Sequence, residues 1–129
     1  MSEIREILKN RILVLDGAMG TMIQSYRLDE SDFRGNRFKN HPCDLKGNND
    51  ILSLTRPDII EEIHHVYLEA GADLIETNTF NGNRISQSDY QMEKFAYDIN
   101  KASAAIARKA ADSYSKQHSR KPRFVCGVL

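Results

Sequence analysis

The sequence predicts an α/β fold, an incomplete (β/α)8 TIM barrel made of the first two βα units plus the third strand. Three observations carry that reading. Short apolar runs alternate with longer stretches of helical periodicity, in the order strand, loop, helix, strand, loop, helix, strand. Long loops follow the strands and shorter breaks follow the helices, as in barrels whose site is built on the βα loops. The first apolar run is continuous rather than alternating, which suits a strand covered on both faces. A doubly wound sheet is the competing architecture. At 129 residues the chain is shorter than the ~250 of a closed barrel. The expectation is therefore an N-terminal fragment of a larger protein, with exposed sheet edges.

The elements follow in order. Ile4 and Leu8, four apart, predict a short amphipathic helix over 3–9. Ile12-Leu13-Val14-Leu15 is the first strand. It runs into Asp16-Gly17-Ala18-Met19-Gly20-Thr21, a glycine-bearing turn with a carboxylate, and Met22-Ile23-Gln24 continues as a helical turn. Residues 25–49 read as irregular, anchored by Leu28, Phe33 and Phe38. So long a connection is either a cover for the turn or a surface insertion.

Helical periodicity returns at Pro57, with Ile60, Ile63, Tyr67 and Ala70 as the stripe and Ile59 and Val66 widening it. Thr55 is the expected cap and Pro57 the first-turn residue. Asp58, Glu61 and Glu62 sit at the positive end of the dipole, and Gly71 takes the left-handed position after the last turn. Asp73-Leu74-Ile75-Glu76-Thr77 is the second strand, and 78–87 a polar loop. A long helix over 92–116 carries Phe95, Ile99, Ala102 and Ile106 on one face. A polar break over 116–122 leads to the third strand, 124–129.

Composition narrows the function. Eighteen basic and eighteen acidic side chains cancel, which excludes the basic footprint of a nucleic-acid binder. No apolar run approaches the ~20 residues of a membrane span. The start of the chain, from Met1 and Ser2, is polar and lacks a signal-peptide core, so a cytoplasmic location is expected. Two cysteines, Cys43 and Cys126, are too few for a disulfide scaffold and read as free thiols.

The candidate chemistry sits at strand ends. Amides freed by the turn at 16–21 can hold an anion or a polar small molecule. The Lys-Ser/Thr pair of a phosphate loop and the third glycine of a dinucleotide fingerprint are both missing. Asp16 either orients a ligand or caps its own turn. Glu76, a carboxylate in an apolar strand, must be paired or face the mouth of a site. His64 and His65 are adjacent on a helix without a ligand of zinc spacing, and read as surface or boundary residues. Cys43 lacks a paired zinc spacing, and Cys126 reads as strand packing. The residues alone lead to a polar small-molecule site on barrel loops.

A resemblance extends this. Ile12-Leu13-Val14-Leu15-Asp16-Gly17-Ala18-Met19-Gly20-Thr21-Met22-Ile23-Gln24 resembles the opening of the cobalamin-dependent methionine synthase family. Cys43-Asp44-Leu45-Lys46-Gly47-Asn48-Asn49-Asp50 is similar to that family's first long loop. Gly71-Ala72-Asp73-Leu74-Ile75-Glu76-Thr77-Asn78-Thr79-Phe80 is similar to its second strand, and Asp89-Tyr90-Gln91-Met92-Glu93 to the start of its next helix. The similarity runs over roughly residues 11–129. The turn and the Glu-Thr-Asn-Thr-Phe strand are shared with other homocysteine methyltransferases; the long loop is more particular to the cobalamin family.

The resemblance implies that 1–129 is the N-terminal part of a homocysteine-binding domain, with the remaining barrel and the folate, cobalamin and reactivation domains absent. In that family zinc on three cysteines activates the homocysteine thiol, which takes a methyl group from methylcobalamin; methyltetrahydrofolate then remethylates the cofactor. By position, Asp16, Gly17, Ala18, Met19, Glu76 and Thr77 would hold the amino-acid end of homocysteine. No catalytic residue and no zinc or cobalamin ligand is implied within this chain, and Cys43 and Cys126 do not match the zinc cysteines. The fragment alone is expected to be inactive. The alternatives are a betaine- or methylsulfonium-dependent homocysteine S-methyltransferase, or a non-catalytic binding module.

Overall fold

The computed structural model describes residues 3–118 and 121–128. Met1 and Ser2 of the polar start, Ser119 and Arg120 of the polar break, and Leu129 of the third strand lie outside the described residues. The chain runs α1 (Glu3–Leu8), α2 (Met19–Ser25), α3 (Glu30–Arg34), α4 (Leu52–Thr55), α5 (Pro57–Glu69), β1 (Leu74–Glu76), α6 (Arg84–Ser88), α7 (Ala96–Gln117) and β2 (Phe124–Cys126). Short 3-10 turns at Asn49–Ile51 and Glu93–Phe95 lead into α4 and α7.

β1 and β2 pair in parallel, in the register Leu74 to Phe124, Ile75 to Val125 and Glu76 to Cys126. On the other side of β1, Leu15 makes a single parallel bridge to Leu74. The Val14 carbonyl accepts from the amides of Asp73 (2.8 Å) and Leu74 (3.1 Å), and the Asp16 amide donates to the Leu74 carbonyl at 2.9 Å. The predicted first strand is thus an extended segment, bridged to β1 at one position. Nor is it buried on both faces: Ile12 is 85% exposed, and Val14 and Leu15 are exposed as well. β-Branched composition reports fitness for burial; burial itself needs neighbours, and among the described residues β1 alone flanks this segment.

α5 joins two apolar clusters. Ile59, Ile60 and Ile63 pack with Ile23, Phe33, Phe38, Leu45, Ile51, Leu52 and Met92. One turn on, Leu68 packs with Ala72, Ile75, Ala107, Ala110, Ala111 and Tyr114. Each such large apolar side chain contributes about 1.5–3 kcal/mol when fully buried. Pro57 opens α5, but its cap is Arg56 without a side-chain bond, while Thr55 belongs to α4. Val66 faces solvent. Gly71 has φ +107°, the left-handed stop that favours glycine.

Three further readings change. Residues 25–49 contain α3, closed by a capping box: Asp29 accepts from the amides of Ser31 (2.9 Å) and Asp32 (3.2 Å), and Asp32 accepts from the Asp29 amide at 3.1 Å. Arg56 pairs with Asp32, and Glu30 receives the amides of Leu45 and Lys46, so this long connection is packed onto the body. The buried face of α7 is Ala96, Ile99, Ser103, Ala107, Ala110, Ala111 and Tyr114, rotated from the Phe95, Ile99, Ala102, Ile106 stripe. Small residues bring α7 close to α5 and β1. His64 is fully buried, with neither ring nitrogen hydrogen-bonded, whereas the sequence reading places it at the surface or boundary. It lies four residues from both Ile60 and Leu68, on the packed face of α5.

Candidate functional site

The turn at 16–20 and the exit of β1 line one cleft of about 420 Å³. Asp16, Gly17, Ala18, Met19, Glu76 and Thr77 all lie on it, with Gly20, Gly47, Asn49, Asp50, residues 78–81 and Val128 completing the wall.

Asp16 couples the two strand ends. Both of its carboxylate oxygens accept from the Glu76 amide at 3.1 Å. Burial, reinforced by the Glu76 charge, raises its pKa to about 6 although that amide bond pulls it down. The carboxylate is thus poised to ionise within the physiological range. Ala18 opens α2 and no side chain caps the first turn; its carbonyl accepts from the Tyr67 hydroxyl at 3.3 Å. A Cβ on Gly17 would sit 3.3 Å from that same hydroxyl, so the missing side chain lets the turn lie close against α5.

At the exit of β1 the hydroxyls are ordered. Thr79 Oγ1 donates to the Val128 carbonyl at 3.2 Å. A hydroxyl has one proton, so Thr77 is the donor in the 2.8 Å bond between the two threonines. The Val128 amide in turn donates to Thr77 Oγ1 at 3.2 Å. Glu76, on the opposite face of β1 from buried Ile75, is half-buried, and among the described residues no cationic side chain lines the cleft beside it.

Sequence reasoning missed the far wall. Asn48 and buried Gln87 exchange amide bonds of 2.8 and 3.1 Å, and Gln87 also donates to the Asn81 carbonyl at 3.0 Å. Asn78 donates to the Asn49 carbonyl (2.9 Å) and to Ser53 Oγ (3.3 Å). Ser103 donates to Ser53 (2.7 Å), tying the wall to α7. Asp50 Oδ1 accepts from the Asn81 amide at 2.9 Å, and burial raises its pKa. The run Gly47-Asn48-Asn49-Asp50 before an apolar helix was the available signal, since three polar side chains there need partners.

Gly82 closes this wall. A Cβ there would lie 3.0 Å from Asn100 Nδ2, 3.1 Å from Thr79 Cβ and 3.2 Å from the Thr79 carbonyl oxygen. Gly82→Ala is expected to cost about 1–3 kcal/mol by overpacking, read as a lowered urea midpoint. A midpoint unchanged within error would show that the loop yields freely.

The cysteines stand apart from the cleft. Both are free and half-buried, so Cys126 is less enclosed than strand packing implies. The Cys43 thiol donates to the Tyr90 carbonyl at 3.2 Å. Among the described residues no three His, Cys, Asp or Glu side chains are grouped to hold a metal ion. The donors of the cleft are carboxylates, hydroxyls, carboxamides and backbone groups. They do not fit a thiolate-bound metal. Among the described residues no helix is long and apolar enough to cross a membrane.

Residues 13–129 match the homocysteine S-methyltransferase family. The fold is similar to the crystal structure of the homocysteine methyltransferase MmuM from Escherichia coli. The oxidized form aligns with a TM-score of 0.74 at 22% identity, over 98% of this chain and 40% of that one. The metallated form aligns at 0.72 and 21%, with the same coverage. This chain spans about two-fifths of the length of these solved structures.

Proposed function

The chain belongs to the homocysteine S-methyltransferase family, and on that premise we propose that its cleft holds the amino-acid end of homocysteine. The observation that carries the reading is the convergence of Asp16, Gly17, Ala18, Met19, Glu76 and Thr77 on one cavity. The ionised Asp16 receives the substrate ammonium, assisted by Glu76. The uncapped backbone of the turn at 17–19 receives the substrate carboxylate, and Thr77 contributes its ordered hydroxyl. The chain supplies binding and orientation. In this reading thiol activation falls to residues other than these, and the chain alone is expected to transfer no methyl groups.

The parent enzyme, in this reading, is a cobalamin-dependent methionine synthase whose homocysteine domain is a (β/α)8 barrel, with methylcobalamin and methyltetrahydrofolate handled by other domains. The loop Cys43-Asp44-Leu45-Lys46-Gly47-Asn48-Asn49-Asp50 supports it over a betaine- or methylsulfonium-dependent relative.

Calorimetry on the purified chain tests the binding role. Homocysteine is expected to bind, and Asp16→Asn to weaken it by about tenfold to a hundredfold, the worth of a charge-assisted bond. The same preparation with methylcobalamin is expected to form no methionine above a protein-free blank. Undiminished binding by Asp16→Asn, or turnover by the chain alone, sinks the corresponding half of the proposal.

A further inference from the structure

We infer that Asp50 is a specificity-determining residue of the cleft, a second carboxylate that with Asp16 selects ligands carrying an ammonium group. The inference deepens the homocysteine reading and rests on it.

Asp50 sits on the 3-10 turn Asn49–Ile51 and is 3% exposed, yet it lines the cleft. Its one described side-chain bond is to the Asn81 amide, a neutral donor. Among the described residues no lysine, arginine or histidine lines the cavity, whose carboxylates are Asp16, Asp50 and Glu76, so the walls offer Asp50 no countercharge. A carboxylate taken out of water without a cation is costly. A ligand that brings a cation offsets that cost, and a ligand of the same shape without one does not. Selectivity of this kind comes from the penalty placed on the wrong ligand. It also needs a rigid mount, which the buried Asn48–Gln87 amide pair and the Asn78–Asn49 bond provide at the two residues before Asp50.

The test compares homocysteine with 4-sulfanylbutanoate, which keeps the thiol and the carboxylate and lacks the ammonium. Asp50→Asn retains an oxygen for the Asn81 amide and removes the charge. It is expected to weaken homocysteine binding about tenfold while leaving the desamino compound within about twofold. Equal losses on both ligands would make Asp50 a structural residue and overturn the inference. So would a loss seen in Asp16→Asn and absent in Asp50→Asn, which leaves the homocysteine reading standing. Failure of the unmodified chain to bind homocysteine overturns both readings together. A measurement on the unmodified protein covers the case in which Asp50→Asn does not fold. The Asp50 carboxyl 13C titration is expected to move down by about one pH unit or more when homocysteine saturates the cleft, because an adjacent ammonium favours the charged form. An unmoved titration overturns the inference.

Discussion

Asp73→Ala is expected to destabilise the chain by about 3–5 kcal/mol, the cost of breaking a buried ion pair by removing one partner. Asp73 is buried at the start of β1. Arg11 reaches it with two bonds, 2.7 Å to Oδ2 and 2.8 Å to Oδ1, the fork geometry that makes arginine–carboxylate pairs strong. Arg123, next to β2, adds a third at 3.3 Å, and the Val14 amide donates to Oδ2 at 3.0 Å. One carboxylate therefore gathers the beginnings of all three extended segments. These bonds, Arg11 foremost, hold its pKa down at about 2.

Alanine at this position would strand Arg123, which is 5% exposed and whose Nε already has no hydrogen-bond partner. Its remaining contact of note is the Tyr114 ring, 5.0 Å away. Arg11, by contrast, can turn to water, so most of the cost falls on the Arg123 side. Asp73→Asn keeps shape and an acceptor and should cost less than alanine. Urea unfolding at pH 7 measures both. Since a domain of this size has about 5–15 kcal/mol in total, Asp73→Ala could leave little folded protein, and the asparagine variant then carries the comparison. A cost below about 1 kcal/mol for both would mean that Arg123 is relieved by another acceptor.

The parts of this molecule that sequence made visible are those governed by near neighbours along the chain. Pro57 and Gly71 bracket α5 through backbone rules that act within a turn. The alternation that marked the parallel pair depends on local periodicity, and the turn at 16–20 and the residues 76–77 were visible as polar residues at the ends of apolar runs. What stayed hidden depends on partners far along the chain. Asn48 is satisfied by Gln87 and Asp50 by Asn81, 39 and 31 residues away. No pattern around either residue names its partner. The exposure of Ile12 and the rotation of α7 are of the same kind, being set by what packs alongside. α3 is different: Asp29 and Asp32 stand at capping-box spacing, but with aspartate where glutamate or glutamine usually closes the box, inside a stretch of arginine, aspartate and glycine that reads as loop. His64 was legible too, since its spacing from Ile60 and Leu68 places it on the stripe while His65 falls outside.

That buried histidine sets the acid response, and the cleft opposes it. Burial, with a smaller push from His65, holds the His64 pKa at about 4, against Glu61, which acts the other way. Unfolded histidine titrates near 6.5. As pH falls from about 6.5 to 4 the unfolded chain takes up a proton that the folded chain refuses, so stability is lost, by about 3 kcal/mol in all at roughly 1.4 per unit. Asp16 works in the opposite sense. Its folded pKa of about 6 lies above the unfolded value near 3.9, so between those limits the folded chain binds the extra proton. That contribution is fully present below pH 4 and lost as pH rises through 6. Asp50, also raised by burial, acts in the same direction. Asp73 and the other lowered carboxylates, Asp29, Glu30 and Asp58, cost stability from about pH 5 downward, as the unfolded chain begins to protonate, and so enter only at the acid end of the window. The unmodified chain should therefore show a shallow stability profile between pH 6.5 and 4, because terms of opposite sign overlap. Asp16→Asn removes one of them and should unmask a steeper fall toward pH 4. His64→Leu removes the other, and its stability should rise as pH falls through 6. Replacing an imidazole that makes no hydrogen bond by an apolar group of similar size should cost little at pH 7. Urea midpoints taken at unit steps from pH 4 to 8 for the three proteins decide the matter. Parallel profiles would show that neither group titrates differently in the folded chain, and a fall in His64→Leu as steep as in the unmodified chain would place the acid sensitivity elsewhere.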